Sequence, residues 1–247
     1  MMYNSPDEGN RIPHYAELAW KLQTEKPAEP SKKLNVRKIV LAAIELADLE
    51  GLAGLSIRKL GKQLGFTTMA VYRYIESREE LLILMLDTAL GPPPDTIRAA
   101  STWQETLSRW GQELFKRYLL HPWLLDVPIV GPPTTPNHLQ WVEDLLAGME
   151  STGLPLQQRL DVSLLLDGHL RNMAKIVAKS KTGIPEAEQS AAAAWFPAFI
   201  QTKTFPYMAK ALSDGALSDE DPFTIQFGLD CIIWGIESRI NMRERTD

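Results

Sequence analysis

The chain has 247 residues, of which 45% are hydrophobic and 23% charged, and these ordinary globular proportions exclude disorder throughout the chain. Its one cysteine, Cys231, excludes an intramolecular disulfide and a cysteine-rich zinc site, and we expect a buried free thiol. No apolar stretch reaches the roughly 20 residues of a membrane span, and the N-terminus lacks a basic and then apolar leader. We therefore expect a cytoplasmic protein without a membrane partner.

Charge is distributed unevenly along the chain. The net charge of −5 disfavours a nucleic-acid partner when taken alone, because phosphate contacts require lysine and arginine. Residues 31–90, however, hold nine lysine and arginine residues against seven aspartate and glutamate residues, whereas residues 1–30 and 91–247 are both acidic. Any DNA contact is therefore expected within 31–90.

The first 30 residues are polar and contain four prolines. Such a composition predicts an extension of low order, with one short helix considered around Tyr15 to Leu22. Beyond it, apolar residues recur at every third or fourth position from 40 to 47, which predicts a helix that begins near Asn35 and ends at Gly51.

Two short helices are predicted next, joined by a turn of about three residues. Ser56 is a suitable N-cap for the first of them, and Gly65 can adopt the left-handed conformation that ends it. Val71 and Ile75 supply the buried face of the second, for which Thr68 is a candidate N-cap. Three helices in this arrangement are typical of a DNA-binding helix-turn-helix, although three-helix units without DNA binding share the pattern.

A fourth helix follows, with Ser77 and Glu80 as a capping box, and it runs to the Gly-Pro-Pro-Pro segment at 91–94. This segment predicts a boundary between a domain of residues 31–90 and a domain of residues 91–247.

The second half also shows only helical periodicity. Ser101 and Gln104 indicate a capping box at the start of a helix that ends near His121, and residues 131–136 (GPPTTP) predict a loop. No segment alternates with the period of a strand, so the fold class is all-α, with an N-terminal three-helix domain and a C-terminal helical domain. The further helices are predicted at 137–152, 156–180, 186–196 and from Asp221-Pro222 onwards.

The string LSIRKLGKQLGFTTMAVYRYIESREELL at 55–82 closely resembles the N-terminal signature of the Tet repressor family, and the resemblance extends over about 35–90. It implies that the third helix enters the major groove of operator DNA, with Tyr72 in contact with the DNA backbone or a base and Arg78 in contact with phosphate. A half-buried aromatic for Tyr72 and a solvated basic face for the cations are the alternatives. The expected DNA contacts are Ser56, Arg58, Lys59, Thr67, Thr68, Met69, Ala70, Tyr72, Arg73 and Arg78.

Residues 92–247 resemble the effector-binding and dimerisation domain of the same family, on the strings at 121–128 (HPWLLDVP) and 131–146 (GPPTTPNHLQWVEDLL). Aromatic and polar side chains on its helices suit an apolar pocket with a few orienting groups, although each of them could instead belong to the core. The residues expected to bind a small-molecule effector are Trp103, Trp110, Tyr118, His138, Trp141, His169, Asn172, Trp195 and Phe199.

The resemblance also implies a homodimer that forms a four-helix bundle through residues 156–180 and 221–243. Gly228 and Gly235 give the last helix a narrow side for a partner, with packing inside one chain as the alternative. His121, His138 and His169 match no metal-binding spacing, so we expect no metal and no cofactor.

An enzyme and a protein-binding module are the two alternatives to a regulator of transcription. An enzyme is disfavoured because the sequence contains none of the common nucleophile, zinc-protease, phosphate-binding or dinucleotide-binding strings. A helical module that binds another protein through its first three helices remains as the alternative. The prediction is a sequence-specific regulator of transcription that binds palindromic operator DNA, a repressor in the usual mode of the family.

Overall fold

The computed structural model describes residues 12–24, 33–128, 131–182, 195–196, 199–200, 205–215 and 225–244, and within these ranges every regular element is a helix. The α-helices are α1 (His14–Thr24), α2 (Val36–Gly54), α3 (Ile57–Leu64), α4 (Thr68–Tyr72), α5 (Arg78–Leu90), α6 (Asp95–Arg98), α7 (Trp103–Leu120), α8 (Pro136–Gly148), α9 (Leu156–Thr182), α10 (Pro206–Ser213) and α11 (Ile225–Glu244). Two 3-10 helices, Pro122–Asp126 and Glu150–Thr152, lie between them. The predicted all-α fold is confirmed.

Helix α1 is the main departure from the expected N-terminal extension. The short helix considered around Tyr15 to Leu22 is present as α1, and it packs against α2, α5 and α8 with Ala19 fully buried. The expectation of low order is therefore wrong for the residues of this helix, which is docked on the core. Residues 1–11 and 25–30 lie outside the described residues.

The three helices of the predicted helix-turn-helix form where local signals place them. Asn35 caps α2 by accepting a hydrogen bond from the Lys38 amide at 2.8 Å, and Gly51 interrupts the helix with a φ of 70°. Ser56 caps α3 in the same way, and Gly65 ends it in the left-handed conformation with a φ of 75°.

Helix α5 begins at the predicted capping residue, whereas α7 begins one residue later than predicted. The Ser77 hydroxyl accepts from the Glu80 amide at 3.0 Å. The N-cap of α7 is Thr102, not Ser101, because Thr102 accepts from the Glu105 amide while the Glu105 carboxylate accepts from the Ser101 amide. The capping box therefore pairs Thr102 with Glu105, and Gln104 takes no part in it.

The C-terminal half follows the predicted order of helices. The loop at 131–136 leads into α8, and α9 spans the predicted 156–180. Most of the helix predicted at 186–196 and the helix start predicted at Asp221-Pro222 lie outside the described residues.

One continuous apolar core joins the two halves through α5. This helix packs against α2 on the N-terminal side and against α7 and α8 on the C-terminal side, and Leu81, Leu84 and Met85 are fully buried. Among the helices of the described ranges, none combines the length and the apolar character needed to cross a membrane.

Candidate nucleic-acid interface and the buried polar cluster

Helix α4 presents a contact face to solvent and a hydrophobic face to the core. Val71 is fully buried, and Ile75, just beyond the helix, is nearly so, whereas Met69 is 72% exposed and Tyr72 45% exposed. The N-cap is Thr67, whose hydroxyl accepts from the Ala70 amide at 3.2 Å, so the candidate cap Thr68 is wrong. The structure therefore holds the start of α4 firmly while its outward side chains stay available for contact.

A close backbone approach sets α3 and α4 at their crossing. The Phe66 amide donates to the Gly61 carbonyl oxygen at 2.9 Å, and a side chain at Gly61 would bring its Cβ within 2.9 Å of the Phe66 carbonyl oxygen. Glycine at position 61 is thus required for this turn, which fixes the direction in which α4 leaves α3.

Basic side chains border the same surface. Arg58, Lys59 and Lys62 line a concave depression together with Ser56, Phe66, Thr67 and Thr68. Lys59 Nζ lies 2.5 Å from Glu50 Oε2, so a phosphate that approached it would compete with a carboxylate. Lys62 was not among the expected contacts, although its position one turn after Arg58 on α3 was the available signal.

Arg78 has a structural contact in addition to its expected role. Its guanidinium donates to the Leu52 carbonyl oxygen at 3.1 Å, which ties the start of α5 to the end of α2. Arg73, the C-cap of α4, is exposed beside Tyr72. Of the expected DNA contacts, Ser56, Arg58, Lys59, Thr67 and Thr68 thus line one depression, while Met69, Tyr72 and Arg73 are exposed on or just after α4.

The residues expected to bind an effector do not form one lining. Trp110 and Trp141 pack edge to face with ring centroids 6.0 Å apart, and both are almost fully buried. Their indole N–H groups donate to the carbonyl oxygens of Trp141 and Gly91, at 2.8 and 2.9 Å. Both tryptophans therefore belong to the hydrophobic core, as in the alternative to a pocket.

Tyr118 and His138 belong to a polar cluster inside the C-terminal half. The Tyr118 hydroxyl donates to Asp167, the Arg171 guanidinium lies 5.1 Å from the centre of the Tyr118 ring, and Arg171 Nε donates to Asp167 at 3.1 Å. Burial raises the pKa of the Tyr118 phenol well above its ordinary value, and the negative Asp167 adds to the effect. Burial also lowers the pKa of His138, an effect that Asp167 partly opposes.

The other expected effector residues are dispersed. Trp103 borders a separate depression between α6, α7 and α8, and Asn172 is exposed on α9. Trp195 and Phe199 pack on each other with ring centroids 5.7 Å apart, and both are about half exposed. His169 packs on Gly228, and its buried Nε2 atom has no hydrogen-bond partner among the described residues.

Asp87 on α5 caps the start of α8 across the domain boundary. The Asp87 carboxylate accepts from the backbone amides of Asn137 and His138 at 2.9 and 3.1 Å and from the Asn137 side-chain amide at 3.1 Å. The residue in the N-cap position of α8, Thr135, makes no capping hydrogen bond itself. Burial raises the pKa of Asp87, although these hydrogen bonds oppose the shift.

Large apolar side chains stand exposed on α9 and α11. Gly235 has open space around it, whereas a Cβ at Gly228 would lie 2.2 Å from the His169 ring of the same chain. For Gly228 the structure therefore favours the alternative of packing inside one chain. Cys231 is exposed, so the expected buried thiol is wrong for the single chain. The exposed large apolar residues are Leu156, Leu160, Leu164, Leu165 and Ile176 on α9 and Phe227, Trp234 and Met242 on α11.

Helices α3 and α4 form a capped helix-turn-helix in which α4 is exposed and basic side chains border it. This arrangement defines a DNA-binding protein of the helix-turn-helix class. Residues 39–85 match the family described as bacterial regulatory proteins of the tetR family, and residues 97–240 match the Tetracyclin repressor-like C-terminal domain. The chain belongs to the TetR family of transcriptional regulators. The predicted family and the predicted function as a regulator of transcription are confirmed.

Similar proteins carry the same description. The HTH-type transcriptional repressor DrrR1 of Streptomyces coeruleorubidus is 30% identical over 234 residues, which cover 92% of this chain and 86% of that protein. The HTH-type transcriptional repressor Rv1353c of Mycobacterium tuberculosis is 27% identical over 207 residues, covering 81% and 79% of the two chains. These names describe regulators, in agreement with the expectation that the chain is not an enzyme.

Among solved structures, ActR of Streptomyces coelicolor in complex with actinorhodin superposes with a TM-score of 0.68 at 23% identity, covering 84% of this chain and 99% of that one. Apo ActR superposes with a TM-score of 0.66 at 24% identity, covering 88% and 100%. At these identities the likeness shows the fold.

Proposed function

We propose that this protein is a homodimeric repressor that binds a palindromic operator through α3 and α4 and leaves it when a small molecule binds the C-terminal domain. The observation that carries the proposal is the exposed face of α4, held by the Thr67 cap and the Gly61 turn. Thr68, Met69 and Ala70 at the start of α4 are assigned to base edges in the major groove. Tyr72, Arg73 and Arg78, with Ser56, Arg58, Lys59 and Thr67, are assigned to positioning on the sugar-phosphate backbone.

Dimerisation follows from the exposed apolar residues of α9 and α11. Contiguous large apolar side chains on the surface of a single chain mark an interface, and two long helices from each of two chains form a four-helix bundle. A two-fold axis through this bundle would place two α4 helices on two half-sites of one operator. The interface is therefore assigned to residues 156–180 and 221–243.

The effector is proposed to be a small, largely apolar or amphipathic molecule that binds within residues 92–210. The polar cluster of Tyr118, His138, Asp167 and Arg171 offers it orienting groups, since Arg171 Nη1 already donates to the Leu124 and Val127 carbonyl oxygens and is held in place. ActR, which shares the fold, has been solved in complex with actinorhodin, which supports a small-molecule effector for this chain.

Release from DNA requires that the effector prefer one of two conformations. His138 lies at the start of α8, where its backbone amide is bound by Asp87 of α5. A ligand that displaces His138 would therefore also move α5, the helix that begins at Arg78 beside the DNA contacts. A coupling of about 1 to 3 kcal/mol corresponds to roughly 5- to 150-fold weaker operator binding. A regulator of this kind acts on chromosomal DNA, which supports the predicted cytoplasmic location.

The test is an electrophoretic shift and footprint with DNA from beside the gene that encodes this protein. We expect a protected palindrome, and a logarithm of affinity that falls with the logarithm of salt concentration at about 0.9 per phosphate contact. Tyr72→Ala should weaken binding to all sequences, whereas Met69→Ala should change the preferred bases. Selection of the same operator by wild type and Met69→Ala would refute the assignment of base contacts to α4. Absence of any protected site would favour a protein-binding module.

The second arm screens small molecules by tryptophan fluorescence and repeats the shift assay with each one that binds. Binders of this domain that leave operator affinity unchanged would contradict the regulatory part of the proposal and leave the DNA-binding part intact.

A further inference from the structure

Three metal-ligating side chains meet where α1 touches the DNA-binding domain. His14 begins α1, Glu76 lies in the turn after α4, and Glu80 is in the first turn of α5. One imidazole nitrogen and two carboxylate oxygens from these residues all lie within 4.8 Å of one another. Residues separated by more than 60 positions in the sequence are thus brought to one point by the docking of α1.

The distances are close to those of a metal centre. His14 Nδ1 lies 3.7 Å from Glu76 Oε1 and 2.6 Å from Glu80 Oε1. Zinc bonds of about 2.0 to 2.2 Å in a tetrahedron place neighbouring ligand atoms roughly 3.4 Å apart. The Glu76 separation needs little adjustment, whereas the His14 to Glu80 hydrogen bond must open by roughly 0.8 Å for zinc to replace its proton. When the metal binds, that proton is released and a neutral histidine takes up a proton at Nε2, so that the Nδ1 lone pair is free for the ion.

Burial at the site is asymmetric, as a metal with one open coordination position requires. The side chain of Glu80 is only 6% exposed, and its second oxygen accepts from the Glu76 amide, which fixes the orientation of the carboxylate. Glu76 is 72% exposed and His14 40% exposed, so their side can admit water as a fourth ligand. A buried carboxylate held by a backbone amide is a preorganised ligand, and the two exposed partners can close on the ion.

We propose that His14, Glu76 and Glu80 bind a divalent transition metal ion of the Zn²⁺ type. One nitrogen and two oxygen ligands suit zinc and its neighbours, whereas Mg²⁺ and Ca²⁺ prefer oxygen ligands alone. The bound ion would join α1 to the turn that follows α4. The site is distinct from the DNA contacts and from the polar cluster of the C-terminal domain.

The test uses the purified full-length protein after treatment with a chelator, without DNA or effector. Calorimetric titration with ZnCl₂ should give one site per chain, and CoCl₂ should give the visible absorption of a low-symmetry cobalt site. At a zinc concentration of about 100 times Kd, the melting temperature should rise by about 5 to 10 °C. MgCl₂ at the same concentration should leave it unchanged.

Variants assign the site. His14→Ala and Glu76→Gln should each weaken zinc binding about 10-fold or more, since even partners of ligating residues contribute 10- to 100-fold. Both residues are partly exposed, so the variants are expected to fold, and Glu80 is left intact because it takes part in the cap of α5. Glu79→Gln is the matched control: it removes the same charge from a neighbouring exposed residue and should leave affinity unchanged. Absence of zinc binding at about 100 μM, or equal affinity in wild type, His14→Ala and Glu76→Gln, would overturn the proposal.

Discussion

Replacing Asp87 with alanine should destabilise the protein strongly, because this side chain caps a helix from the opposite domain. Asp87 is 4% exposed, and its carboxylate accepts hydrogen bonds from the backbone amides of Asn137 and His138. Alanine at position 87 would remove both bonds and leave the start of α8 without any side-chain cap, since Thr135 makes none.

The size of the effect follows from these contacts. Loss of the N-cap bond costs about 0.5 to 2 kcal/mol, and the second partly buried amide left without an acceptor adds about 1 to 3 kcal/mol. The desolvation of ionised Asp87, visible in its raised pKa, offsets part of this loss. A net destabilisation of about 2 to 4 kcal/mol is therefore expected for Asp87→Ala. Asp87→Asn keeps an acceptor oxygen and should lose about 1 kcal/mol or less.

The assay is equilibrium unfolding in urea, followed by far-ultraviolet circular dichroism, for wild type and the two variants. The melting temperature of Asp87→Ala should also fall by roughly 5 to 15 °C, at about 2 to 4 °C for each kcal/mol in a chain of this size. An Asp87→Ala protein within about 0.5 kcal/mol of wild type, in the range of an ordinary surface substitution, would refute the role of Asp87 as the cap of α8.

Two further predictions concern the C-terminal domain. Trp234→Asp, on the exposed face of α11, should convert the dimer to the single 27.8 kDa chain in sedimentation and should speed the reaction of Cys231 with a thiol reagent. Leu120→Asp, exposed on α7, is the control and should stay dimeric. A Trp234→Asp protein that stays dimeric would place the interface elsewhere. Because the pKa of His138 is lowered in the folded chain, its contribution to stability is complete above the unfolded pKa and is lost as the pH falls through the folded pKa. Thermal melts between pH 7.5 and 5.5 should therefore show a smaller loss in His138→Gln than in wild type, and equal losses would contradict the assigned direction.

The helix-turn-helix could be predicted from the sequence because its determinants are local. Ser56, Gly65 and Ser77 act within three or four residues of their own position, and the periodicity of the buried residues reveals each helix. The start of α7 differs from the prediction by one residue because Ser101 and Thr102 are adjacent hydroxyl residues, and either can cap a helix. Only the path of the backbone decides between them.

Contacts between distant segments could not be predicted in this way. His14 meets Glu80, and Asp87 meets Asn137, across 66 and 50 positions, and no periodicity encodes such a pairing. Gly228 illustrates the limit: a small residue signals a close approach on a helix, but it does not reveal whether the neighbour belongs to the same chain. The same holds for the effector residues, since buried tryptophans that pack as core and those that line a pocket share one helical pattern.

The cap that Asp87 provides has a consequence for how regulators of this type can be recombined. A chimera cut at the Gly-Pro-Pro-Pro segment of 91–94 would transfer Asp87 with the DNA-binding half and leave Asn137 and His138 in the other. In such a chimera, the start of α8 would come from one protein and the α5 residue that must cap it from another. Exchange of operator specificity should succeed better with a junction directly before Asp87, so that Arg78 stays with the DNA-binding half and Asp87 travels with the helix that it caps.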